Sequence, residues 1–95
     1  YRSVRLADEQ QSSRYAFEEA DTAALGRGFD EAIAEGSRLI ESGLVIPGYE
    51  QCLRASHLFN LLDSRGAVSV SDRPRRILAV RGLATAAAHR HLAEP

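Results

Sequence analysis

The sequence predicts an all-α fold: a three-helix antiparallel bundle preceded by an irregular N-terminal arm. Three observations carry this expectation. Ala and Leu dominate the apolar residues, with no Trp, no Met, three Tyr and three Phe. Apolar side chains recur at spacings of three and four along three stretches. Gly43 and Gly66 close the first two stretches, and the capping residues Asp21 and Ser71 open the first and third.

Residues 1–20 have no clean period. Val4 and Leu6 alternate with Arg5 and Ala7, polar residues follow, and Tyr15 and Phe17 come last. An irregular, partly extended docking arm is expected here, with residues 21–95 as the helical domain. The first helix is expected over 21–42, where Leu25, Phe29, Ile33, Gly36 and Ile40 share one face and charged residues take the rest. Gly36 on that face permits close approach of a neighbouring helix.

The second helix is expected over 47–64, with Pro47 in its first turn. Tyr49, Cys52, Leu53, Ser56, Phe59 and Leu62 form one stripe, and Leu58 and Leu61 form a second. A helix apolar on two sides lies between neighbours. The third helix is expected over 72–92, capped by Ser71, with Asp72 at its positive end and Pro74 in its first turn. Its inner face reads Ile77, Val80, Ala84, Ala87, Ala88 and Leu92, small enough for tight helix contact.

At 95 residues the chain is one domain, near the low end for a self-sufficient core. Cys52 is the single cysteine, which excludes an internal disulfide and a cysteine-rich metal site, and its place on the apolar stripe without nearby Cys or His partners is expected of a core residue. No signal peptide or membrane span is recognisable, so a cytoplasmic setting is the default. A start at Tyr1 rather than Met is what an excised or processed piece would show, and the sequence leaves fragment and free-standing chain both open.

The net charge of −1 conceals a split. Residues 1–53 hold five arginines against ten acids, and residues 54–95 hold seven against three, so the halves carry −5 and +4. Such asymmetry marks a polyanion-facing half or an acidic partner. Arg73, Arg75 and Arg76 gather at a helix start, where they either receive phosphates or form ion pairs to the acidic first helix. Asp63 and Arg65 are placed to brace the turn between helices. His57 and Asn60 either face a ligand or another chain together, or make structural hydrogen bonds. His89 and His91 do not share a helix face, which argues against a metal pair. No phosphate loop, zinc-protease signature or nucleophile elbow is present.

A run at Ser56, His57, residues 59–63, Arg65, Gly66, Ala67, Ser69, Val70, Arg73, Arg75 and Ile77 resembles the C-terminal helical region of the α subunit of bacterial-type (α2β2) glycyl-tRNA synthetase. The likeness continues upstream through Leu44, Pro47, Tyr49 and Leu53 to Tyr1, Val4, Leu6, Glu9, Ser13, Tyr15, Phe17, Glu18 and Ala20. Pro74, Arg76, Arg2, Ser3 and Ser12 depart from the family's pattern. In that family the class II catalytic motifs lie before the residue matching Tyr1.

The resemblance therefore implies a domain of an ATP-dependent glycine-tRNA ligase, without catalytic, cofactor or metal residues of its own. ATP and Mg belong to the parent enzyme. The implied partners are the upstream catalytic domain or a second α subunit, the β subunit and possibly tRNA, in an oligomer. Arg65, Arg73, Arg75, Arg76, His57 and Asn60 are the candidate RNA or subunit contacts. Two alternatives stand beside this reading: a free-standing protein- or RNA-binding module derived from that region, and a helical dimerisation unit.

Overall fold

A computed structural model describes residues 2–93, with side chains at 6–16 and 18–92. Four α-helices follow one another: α1 (Arg2–Arg14), α2 (Thr22–Glu41), α3 (Val45–Ser64) and α4 (Asp72–Ala93), with a π-helical turn at Tyr15–Glu19 between the first two. No strand occurs among the described residues. The all-α expectation holds, and the arm expected to be irregular is helical instead. The reason is local: residues 2–24 hold neither Gly nor Pro, and Ala7, Glu9, Gln10, Gln11 and Arg14 are good helix formers. What the stretch lacks is an apolar face, so periodicity did not mark it as a helix. Tyr15, expected to dock, is half exposed, and the side chain of Phe17 lies outside the described residues.

The punctuation of the bundle follows the sequence closely. Asp21 caps α2 by accepting from the Ala23 and Ala24 N–H groups at 3.0 and 3.2 Å. Gly43 (φ +86°) and Gly66 (φ +63°) take the left-handed conformation. Each closes its helix with paired bonds: Gly43 N–H to Ile40 and Leu44 N–H to Leu39 in one case, Gly66 N–H to Asp63 and Ala67 N–H to Leu62 in the other. The cap of α4 is not Ser71 but Ser69, whose hydroxyl accepts from the Asp72 N–H at 3.0 Å while its carbonyl accepts from Arg73 N–H. α3 begins two residues earlier than expected, and Pro47 still falls in its first turn, where it removes no needed donor.

The α2 stripe is buried as its spacing implies, with Phe29 the largest fully buried side chain. Two expected stripes are rotated. On α3 the inward residues are Gly48, Cys52, Ala55 and Leu62, while Tyr49 and Leu53 stay about half exposed. On α4 Leu83 and Ala87 are buried, whereas Ala88 and Leu92 face outward. Both rotations trace to one close crossing. A Cβ on Gly36 would lie 2.6 Å from Leu83 Cδ2 and 3.2 Å from the Gly48 carbonyl oxygen. One on Gly48 would lie 2.6 Å from Ile40 Cγ1 and 3.1 Å from the Gly36 carbonyl oxygen. α2 and α3 thus touch backbone to backbone, and Leu83 of α4 seals the crossing. Cys52 lies in this core, its thiol 3.7 Å from the Val80 carbonyl and its pKa raised by burial.

Candidate functional site

The basic start of α4 folds into a corner with its own acids. Pro74 and the Ser69 cap hold the first turn of α4 in place, which sets Arg73, Arg75 and Arg76 around it. Arg73 donates to Asp63 at the end of α3, and its guanidinium lies 5.8 Å from the Phe59 ring centroid. Arg75 reaches Asp72 at 3.5 Å and Asp30 of α2 at 3.8 Å. Arg76 is 3.8 Å from Asp30, 4.0 Å from Asp72 and 4.8 Å above the Phe29 ring. Its side chain is only 11% exposed.

Arg76 is the member whose environment matters most. It sits over the largest buried side chain of the core, desolvated between two carboxylates, where a cation over an aromatic face gains more than at an exposed site. The Asp30 contacts join the acidic and basic halves of the chain, and the Asp63 and Asp72 contacts are made within the basic half. Phosphate recognition would have to compete with these carboxylates.

Arg65 is placed elsewhere, at the C-cap of α3, where it donates from Nη1 to the Ala20 carbonyl. His57 and Asn60 border different grooves. His57 is exposed beside a polar groove shared with Asp8, Gln11, Ser12, Tyr15 and Leu61. Asn60, one turn further along α3, is exposed in a groove with Ser56, Phe59, Ile77, Val80 and Arg81. The structure therefore gathers the three α4 arginines in one place and scatters the other three candidates.

One surface was not singled out by sequence. Between the start of α3 and the second half of α4 runs a groove of about 280 Å³, walled by Val45, Ile46 and Tyr49 on one side and Ala84, Ala87 and Ala88 on the other. Glu50 and His91 are its polar members. Ile46 is 70% exposed beside it. Leu53, one turn beyond Tyr49, continues the apolar ridge. The sequence signal is present in the spacing of Ile46, Tyr49 and Leu53, but the expected helix starts after Ile46 and its stripe sets Tyr49 and Leu53 against a neighbouring helix.

Among the described residues no three His, Cys, Asp or Glu side chains gather as metal ligands, and no helix is long and apolar enough to cross a membrane. Compared with known protein families, residues 1–95 match the family model described as glycyl-tRNA synthetase alpha subunit.

Proposed function

Because the chain belongs to the glycyl-tRNA synthetase alpha subunit family, we propose that it serves as a helical docking domain of that subunit, supporting glycyl-tRNA formation through contact with another subunit of the enzyme. The observation that carries this reading is the open groove between α3 and α4. Its walls are apolar, its ridge residues Ile46, Tyr49 and Leu53 are exposed, and an exposed tyrosine beside aliphatic side chains is typical of an interface core. The synthetase's ATP, magnesium and glycine chemistry is assigned to the class II catalytic motifs of the family, not to residues of this domain.

A direct tRNA contact is the weaker reading. The three arginines best placed for phosphate already lie against Asp30, Asp63 and Asp72. Salt-sensitive RNA binding needs cations that can release counterions from phosphate.

The test replaces Ile46 and Tyr49 with Ser in the α subunit and follows its assembly with the β subunit by sedimentation velocity, beside tRNA(Gly) binding at two salt concentrations. Assembly weakened at least tenfold, with tRNA binding by the isolated α subunit unchanged, supports docking through the groove. Unchanged assembly sinks that reading. Loss of tRNA binding in Arg73→Ala, Arg75→Ala, Arg76→Ala instead would favour the RNA role. Self-association of the 95-residue chain that Ile46→Ser abolishes would make it a dimerisation unit.

A further inference from the structure

Among the described residues, the backbone of α1 meets the rest of the chain at one corner. The π-helical turn ends where the Ala20 N–H donates to the Tyr15 carbonyl at 2.9 Å. Ala20 itself is extended (φ −58°, ψ 132°), and so is Asp21 (φ −74°, ψ 104°), so the chain leaves one helix and re-enters another across two non-helical residues. The Asp21 carbonyl accepts the first bond of α2, from the Leu25 N–H, which leaves the Ala20 carbonyl before it in need of another donor. That carbonyl, on a residue only 3% exposed, accepts from the Arg65 guanidinium.

Arg65 is well anchored for this purpose. It is the C-cap of α3, its own N–H bonds to Leu61 and Leu62, and Gly66 closes the turn behind it. Ala20 packs with Leu25 and Leu62 against Leu58, Leu61 and Val68. Beyond this corner α1 has little support: among the described residues its backbone approaches the π-helical turn and no other helix. Across the gap from α3, the groove bordered by Asp8, Ser12 and His57 stays open. A polar helix of this length is marginal by itself in water, and its direction is inherited from the joint.

We infer that Ala20–Asp21 is a hinge and that Arg65 is the positioning residue that locks it, setting the angle between α1 and the α2–α4 bundle. Arg65 gains from the bond a fixed carbonyl partner. The hinge gains a clamp that crosses 45 positions of sequence. With the clamp released, α1 can swing across the groove towards His57. With it closed, α1 projects in one direction and transmits it to whatever chain or subunit α1 contacts. This inference is independent of the docking groove, which lies at the opposite end of α3.

Spin labels at Gln10→Cys on α1 and Ser37→Cys on α2, in a Cys52→Ala background, read the angle as a distance distribution by pulsed electron paramagnetic resonance. With Arg65 intact a single narrow distribution is expected. Arg65→Ala should at least double its width, and Arg65→Lys, which keeps a donor on a long stem, should recover part of the narrowing. Arg73→Ala removes a nearby cation that does not touch Ala20 and should leave the width unchanged. An unchanged distribution in Arg65→Ala, or equal broadening in Arg73→Ala, overturns the assignment. If Arg65→Ala does not fold, Arg65→Gln, too short to span the joint, takes its place with the same expected broadening and the same overturning result.

Discussion

The two ends of α4 meet their surroundings in opposite ways. At its start, three arginines lie within 4.0 Å of carboxylates on three different elements, and two of them stack over Phe29 and Phe59. Along its second half, Ala84, Ala87 and Ala88 leave a trough against α3 that no side chain of the described residues fills. In sequence the charged end reads as either a phosphate site or an ion-pair cluster; in the fold its cations meet carboxylates, with Arg76 Nη1 buried and without a hydrogen-bond partner among the described residues. The alanine-rich end looks like core and contributes to an open surface. Charge density alone is therefore a poor guide to where a partner binds, because a nearby carboxylate answers a guanidinium as readily as a phosphate does. An unfilled apolar trough has no such internal answer.

The comparison breaks most readily at Phe29, the floor of the charged corner. Phe29→Ala should cost about 3–5 kcal/mol of stability in urea unfolding, because a fully buried ring is removed from a small core. A loss no larger than that of Arg76→Ala would mean that charge, and not the ring beneath it, holds the corner.

Arg76→Ala comes next. Desolvated over an aromatic face, it should cost about 1–2 kcal/mol, whereas Arg73→Ala, whose ion pair with Asp63 is almost half exposed, should cost less than about 1 kcal/mol. Equal losses in the same denaturation series would remove the distinction between the stacked, buried arginine and its exposed neighbour.

The smallest effect belongs to a pair on the open face of α2, which shows what an arginine–carboxylate contact does without a ring or burial. Arg38 donates twice to Glu35, at 2.6 and 2.9 Å. The Arg38 hydrogen bond draws the Glu35 pKa below its ordinary value of 4.5. A carboxylate lowered in the folded state stabilises it above the unfolded value and loses that contribution as pH falls through the folded value. Glu35→Gln should therefore slightly lower stability at neutral pH, leave it unchanged below the folded value, and so flatten the acid limb of the stability profile. The Glu35 titration followed by NMR should move back towards 4.5 in high salt. A salt-insensitive titration would show that even this exposed pair is shielded.

Much of the fold was legible because it depends on neighbours in sequence. Asp21, Gly43 and Gly66 act within a turn of themselves, so their roles as cap and stops could be read directly. The α2 stripe was equally clear, since a strong apolar period on one helix needs no knowledge of its partners. α1 was missed for the converse reason: its helix has propensity but no apolar face, and periodicity detects only faces. Of the candidate site residues, the three α4 arginines were grouped correctly in space because they share a turn. His57 and Asn60 are neighbours along α3, yet they border different grooves, because α1 lies beside His57 and α4 beside Asn60, and no pattern within one helix shows which neighbour covers each edge.

By itself the sequence determined the helical class, the positions where α2 and α3 stop, and the likeness to the synthetase family. These rest on local backbone preferences and on residue identity. Tertiary structure alone decided which face of α3 and α4 is core. That choice turns on Gly36 meeting Gly48, a contact between positions twelve residues apart whose closeness no single-helix pattern contains. Once two glycines bring the backbones together, Leu83 must cover the crossing, and Tyr49 and Leu53 rotate outward onto the surface where a partner can reach them.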